Sequence, residues 1–412
     1  MCICMLSQPM KDIKKLRPGK YRIATIVTYF IVPISGFGTD IYLPSMPSMA
    51  QELGLPEAQI QLTLSLFLVS YGLSQLISGS FLDTFGRRRI SLGALLVFSL
   101  SCLVTGLSHS IILIYTMRCL QGLCIGFIVV ASRAFFSDIY EGDRRKHYIS
   151  LMTIVWSVGP IVAPFVGGYL EHSFGWRSNF YALAIYGLLL FILQWAFSGE
   201  TIREKIPLSI SHVLDNYRGI LAARDYNYGI FMLGLCYAMI MLFSLTGPFV
   251  IEHVMHYSSV VAGYVSLLLG LAWMCGGFFG KGLIRKPFQS KNRVAYVIQV
   301  VLVVGMILGA SWVSSIQTLV GFAFLIHVTA GFIFNNYFTY CLARFPRAAG
   351  IAGGLAGGLG YTFTAVLSYG IAALLKPSSQ MQIGVGYLII SVMGVVALWL
   401  SRKMHPDRKS VV

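Results

Sequence analysis

Charge is what this chain of 412 residues has least of: 11% are Asp, Glu, Lys or Arg, and acids are scarcer than bases, 15 against 31. Soluble domains carry about 25% charged residues, so a water-facing surface around the whole chain is excluded. Several chemistries lack their signatures as well. No Gly-x-x-x-x-Gly-Lys-Ser/Thr occurs, the nearest approach being Gly280-Lys281 followed by Gly282, which argues against ATP-driven work. Neither His-Glu-x-x-His nor Gly-x-Ser-x-Gly is found, and the eight histidines make no convincing ligand pair, so the chain is read as no enzyme. Glu252-His253 with His256 has a loose metal-like spacing without further ligands, and neither a metal nor a cofactor is expected. Cys102, Cys119, Cys124, Cys236, Cys275 and Cys341 fall in or beside apolar runs without ligand spacing, and read as small packing residues rather than disulfides. The first five residues have no apolar core or cleavage site of a signal peptide, and Met5 or Met10 is an alternative start.

What is present is apolar. Hydrophobic residues make up 56% of the chain and mean hydropathy is +0.74. Bilayer-length windows fall at 23–41, 60–82, 90–107, 111–130, 149–170 and 180–197, then at 230–251, 260–279, 294–312, 319–342, 348–375 and 383–400. Each is near the ~20 residues that cross a ~30 Å hydrocarbon core as a helix. The windows are continuously apolar rather than alternating, which favours helices over a barrel. The reading is an all-α integral membrane protein of twelve transmembrane helices.

The bases set an orientation. If the N-terminus is cytoplasmic, 28 of the 31 Lys and Arg fall on that side, Arg177 and Lys376 fall opposite, and Arg118 lies inside a span. The positive-inside rule then predicts both termini in the cytoplasm. The formal charge of +16 is topological on this reading, so no nucleic-acid partner is implied, whereas basic loops would meet anionic membrane lipid.

A polar interval divides the windows six and six. It gives a cytoplasmic segment 1–22, a six-helix bundle 23–197, a cytoplasmic linker 198–229 with room for a short surface helix, a second bundle 230–401 and a tail 402–412. Two pseudo-symmetric six-helix bundles are a common transporter plan, with the substrate site between the halves.

Four motifs stand in the first half. Gly79, Asp83, Gly86, Arg87 and Arg88 follow the second window and read either as topology anchors or as a latch that makes and breaks with conformation. The fourth window holds Arg118-Cys119-Leu120-Gln121-Gly122, and the fifth holds Gly159, Pro160, Ala163, Pro164, Gly167 and Gly168. The first ends in Asp40-Ile41-Tyr42-Leu43-Pro44, with Pro47 beyond. This set resembles the major facilitator superfamily, and within it the twelve-helix drug:proton antiporters of the bicyclomycin and chloramphenicol resistance branch. The resemblance departs from the antiporter motif at Ala163, where that motif has glycine, and at Val32, where some multidrug relatives place a second acid.

The resemblance implies a proton-coupled exporter of small amphiphilic or drug-like molecules in the bacterial inner membrane, read as a monomer whose partners are a small-molecule substrate and protons. Export of an endogenous metabolite such as a siderophore, and proton-coupled uptake of a nutrient, stay open. An ionisable side chain in a span is a functional hypothesis by default. Asp40 is therefore a proton-coupling candidate, or else an outer-interface residue before a proline-rich loop. Arg118 is a coupling partner, or a structural donor to backbone carbonyls. Tyr42, Gln121, Trp156, Tyr237, Trp273, His327, Asn335 and Asn336 are candidates for a substrate cavity. The rings serve equally as helix packing, and an interhelical hydrogen bond is the preferred reading of His327, Asn335 and Asn336.

Overall fold

The computed structural model describes residues 21–202, 210–283, 285–345, 349–376 and 378–404. Among them twelve helical spans are long and apolar enough to cross a membrane. The first, Tyr21–Leu53, is a composite of α1 (Tyr21–Ile31), α2 (Ile34–Asp40), a 3₁₀ turn (Leu43–Ser45) and α3 (Met46–Leu53). Pro33 and Pro44 lack the amide N–H that a continuous helix requires, and each sits at one of these breaks. Gly54, at φ +63°, closes α3 with a left-handed cap.

Each of the next five spans is a single helix: α4 (Glu57–Phe85), α5 (Arg87–Leu107), α6 (Ile111–Ile139), α7 (Gly142–Phe174) and α8 (Arg177–Phe197). After the linker helix α9 (Ile210–Leu221) come α10 (Arg224–Phe249), α11 (Ser259–Gly282), α12 (Phe288–Ala310), α13 (Ile316–Arg344), α14 (Ala349–Leu375) and α15 (Gln380–Met404). A turn of π-helix, Val250–Val254, extends α10 beyond Pro248.

Two expectations are corrected. The chain does not enter a proline-rich loop after Asp40. Proline is tolerated at a helix's first turn, so the segment stays helical to Leu53 and Asp40 falls near the middle of a 33-residue span. The fourth span does not end near residue 130, because α6 continues to Ile139; Arg133 lies inside that helix rather than in a loop.

In the first half α4 packs on α6 and α5 on α6 and α8; in the second α10 and α11 pack on α13 and α12 on α15. The halves meet mainly where α4 crosses α14 and α7 crosses α11. Glycine permits these crossings: a Cβ on Gly72 would meet Thr362 and the Gly358 carbonyl, and one on Gly168 would lie 2.6 Å from the Ser259 carbonyl. Apolar side chains such as Ile185, Trp195, Val297 and Val301 stay exposed on the rim, the pattern of a surface solvated by acyl chains rather than water.

An even number of crossings brings Tyr21 and Met404, the first and last described residues, to one side, here termed the basic face, which also carries α9. At the opposite face polar contacts close the seam between the halves. Gln61 donates to the Leu245 carbonyl at 2.9 Å, the Tyr169 and Tyr264 hydroxyls lie 2.9 Å apart, and His253 Nδ1 is 3.3 Å from Glu57.

Candidate functional site

The site begins with the approach of α6 to α4. Gly122 and Gly126 face α4 so closely that a Cβ on either would strike Ser70 or Ser74. That contact carries Arg118, one turn before Gly122, into the centre of the first half, where it is fully buried. Its Nη1 donates to the Gly38 carbonyl at 3.0 Å and to Gln121 Oε1 at 2.8 Å, and Nε reaches the Thr63 carbonyl at 3.5 Å. The guanidinium also lies 4.2 Å from the Phe67 ring centre and 4.5 Å from that of Tyr42. Gln121 is held in turn by Thr105 at 3.0 Å, and the Tyr42 hydroxyl by Thr63 at 2.9 Å. Tyr42 and Gln121 therefore line the arginine rather than an open cavity.

Asp40 is buried within electrostatic reach of Arg118 and, across the seam, of Tyr237. Its carboxylate makes no ion pair or hydrogen bond among the described residues, and Arg118 Nη2 is likewise without a partner there. A carboxylate and a guanidinium nitrogen thus stand near one another, each with bonding capacity unspent.

Half-buried rings cluster on the second-half side. Tyr237 lies 6.0 Å from Trp273, 6.1 Å from Phe334 and 5.3 Å from Tyr361, and Tyr361 lies 4.8 Å from Tyr71 of α4. Of the expected cavity residues this cluster holds Tyr237 and Trp273. Trp156 sits apart, its indole donating to Ser35 at 3.0 Å. His327 is buried against Tyr387 of α15 at 3.0 Å, Asn336 bonds Asn292 of α12 at 3.0 Å, and Asn335 bonds the Gly277 carbonyl of α11 at 2.9 Å. These three make interhelical bonds within the second half.

The α7 motif works by close approach. Gly159 faces the Pro33 carbonyl and Gly36, Gly167 faces the Ile41 carbonyl, and Gly168 faces α11. Ala163 is fully buried, and α7 runs unbroken through Pro160 and Pro164. One helix thereby touches the Asp40 segment on one side and the other half on the other.

At the basic face Gly86 turns the chain from α4 into α5 at φ +101°, a conformation that favours glycine. Arg87 pairs with Asp83 at 3.0 Å, also with Asp138, and donates to the Ala134 carbonyl at 3.2 Å. Arg88 donates to the Trp195 and Ser198 carbonyls at the end of α8, at 2.9 and 3.2 Å. Glu200 accepts from the backbone N–H groups of Arg87 and Arg88 at 3.1 and 3.2 Å, placing a carboxylate at the positive end of α5. Around Gly79 there is open space, so packing does not demand glycine there. The sequence reading missed Asp138, Glu200 and Tyr71. The first two carried a signal, as acids on a face otherwise rich in bases; Tyr71 is one of many tyrosines and carried none.

A family model described as Major Facilitator Superfamily matches residues 28–369. Multidrug resistance protein D of Escherichia coli (strain K12) is 27% identical over 393 residues, covering 91% of this chain and 94% of that protein. A bicyclomycin resistance protein homolog of Haemophilus influenzae is 27% identical over 346 residues, covering 82% and 86%. Among solved structures, a D-xylose-proton symporter superposes with a TM-score of 0.71 at 16% identity, covering 92% of this chain and 96% of that one, a likeness of fold.

Proposed function

Because the chain belongs to the Major Facilitator Superfamily, an integral membrane family of transporters, we propose that it exports small amphiphilic, drug-like molecules in exchange for protons by alternating access. One observation carries the reading: Asp40 is buried mid-span beside Arg118, without a fixed partner. Burial disfavours the charged carboxylate and the neighbouring guanidinium favours it, so small movements of α2 against α6 decide whether the proton stays. Because α7 touches both the Asp40 segment and α11, rocking of the halves reaches that environment directly. The basic face is the cytoplasmic one on this reading, in accord with 28 of 31 bases, and the membrane is the bacterial inner membrane.

One titrating acid is energetically sufficient. A potential of 100 mV supplies about 2.3 kcal/mol per charge moved, which sustains roughly a fiftyfold gradient of a neutral substrate. Support for a drug-like substrate comes from the ring cluster at the seam and from the relatives named for drug resistance. The experiment is export from cells and from proteoliposomes under an imposed proton gradient. Drug exclusion that depends on Asp40 supports the reading. A single metabolite accumulating outside the cell would instead identify a dedicated exporter, and inward accumulation would overturn export.

A further inference from the structure

Two buried glutamines of α4 are partnered differently. Gln61 bonds the Leu245 carbonyl across the seam, whereas Gln75 is 3% exposed and neither its Oε1 nor its Nε2 has a hydrogen-bond partner among the described residues. No other amide side chain there has both atoms buried and unpaired. The neighbouring helices explain why: α6 faces this turn of α4 with Gly126, and α14 faces it with Gly354, Gly357 and Gly358. A Cβ on Gly357 would stand 2.8 Å from Gln75 Oε1 and 3.4 Å from Nε2. The amide thus lies against a stretch of helix without side chains, whose backbone groups are spent within the helix.

Register joins Gln75 to the ring cluster. α4 and α14 cross in opposite directions, with Gln75 against Gly357 and, four residues back on α4 and four further along α14, Tyr71 against Tyr361 at 4.8 Å between ring centres. Four residues of helix rise about 6 Å, so the amide stands one turn from that ring pair, and Tyr361 continues to Tyr237 at 5.3 Å. The hydroxyl of Tyr71, a residue 2% exposed, lies beside Ser35 and Tyr361 without hydrogen-bonding geometry to either. Two buried polar groups on one face of α4 therefore keep bonding capacity unspent beside aromatic faces. An unpaired buried amide is destabilising, and a ligand that completes its bonds recovers that energy.

We propose that Gln75 and Tyr71, with Tyr237 and Tyr361, form a substrate subsite for an uncharged aromatic amphiphile that carries a carboxamide or lactam. Such a group presents an N–H and a C=O side by side, the complement of the Gln75 oxygen and nitrogen, and makes a two-point bond that a lone acceptor cannot. The Tyr71 hydroxyl donates to the second lone pair of the ligand's carbonyl, and the aromatic body stacks on the rings one turn away. Parting of α4 from α14 as the halves rock opens Gln75 to the ligand, so the subsite deepens the exporter reading and rests on it.

The test is calorimetric titration of the detergent-solubilised full chain with two probes of one shape, 2-naphthamide and 2-acetylnaphthalene, in which a methyl group replaces the amide nitrogen. The wild type is expected to bind the amide roughly 10- to 100-fold more tightly, because the ketone leaves Gln75 Oε1 unpaired. Gln75→Met, of similar length, removes or reverses that preference, and its thermal unfolding midpoint does not fall, because no bond within the protein is lost. Tyr71→Phe weakens both probes alike. Equal binding of the two probes by the wild type, binding of neither, a preference that survives Gln75→Met, or a lowered unfolding midpoint in that variant overturns the subsite. Proton-linked drug export by proteoliposomes of a protein that binds both probes equally would sink the subsite alone. Amide-selective binding that depends on Gln75, without proton-linked export, would sink only the exporter reading.

Discussion

Gly86→Ala perturbs the basic-face network at its most constrained point. At φ +101° and ψ 134° the residue occupies a region nearly reserved for glycine, where another side chain costs about 1–3 kcal/mol in backbone strain. The new Cβ would also stand 2.7 Å from Glu200 Oε2, so the carboxylate must withdraw. Glu200 accepts four backbone N–H groups, those of Arg87 and Arg88 and those of Thr201 and Ile202 at 3.0 and 3.2 Å, and a fixed anion at a partly buried helix start contributes up to about 2 kcal/mol. Gly86→Ala is therefore expected to destabilise by about 2–4 kcal/mol and Glu200→Gln by about 1–3 kcal/mol. Part of the alanine's effect is the loss of Glu200, so the double variant should fall short of the sum by about 1–2 kcal/mol. Denaturant unfolding of the four proteins in detergent measures this cycle. Additive losses, or a silent Gly86→Ala, would refute the coupling of Gly86 to Glu200.

Asp83→Asn weakens the hold on Arg87 but leaves Asp138 in place, so turnover should slow while substrate affinity stays constant; unchanged proteoliposome transport would reduce Asp83 to a topological role. Gly168→Leu cannot be accommodated against the Ser259 carbonyl and should part the halves at the face opposite the termini. A cysteine introduced at buried Leu245 should then label faster from that side, and an unchanged rate would contradict the tight α7–α11 seam. His327→Gln should lower stability by about 1–3 kcal/mol through the Tyr387 contact while leaving the transport KM unaltered, because His327 bonds α15 rather than the ring cluster.

Helix number and the two-half plan were legible because hydrophobic length is a one-dimensional property of the chain. The continuation of the first span was not, since Pro44 and Pro47 look like terminators until the chain is seen restarting a helix on each. The end of α6 was hidden for a related reason: Arg133 follows the apolar window and reads as a loop base, whereas the helix runs on to Ile139 and carries Asp138 to Arg87 of α5. Arg118 was visible as a charge within a span, but its acceptors at Gly38 and Thr63 are backbone carbonyls, which no side-chain pattern announces. For His327, Asn335 and Asn336 the sequence favours interhelical hydrogen bonds over cavity roles, but which helix each one faces is decided by packing.

The most direct test of proton exchange at Asp40 is proton movement itself. Purified wild-type and Asp40→Asn proteins are reconstituted with a pH-sensitive dye inside the vesicles, and a transported drug is added with no other ion gradient. Substrate-driven proton flux should be present in the wild type and absent in Asp40→Asn, with drug binding retained by both. Undiminished flux in the variant would contradict the assignment of Asp40 as the coupling acid.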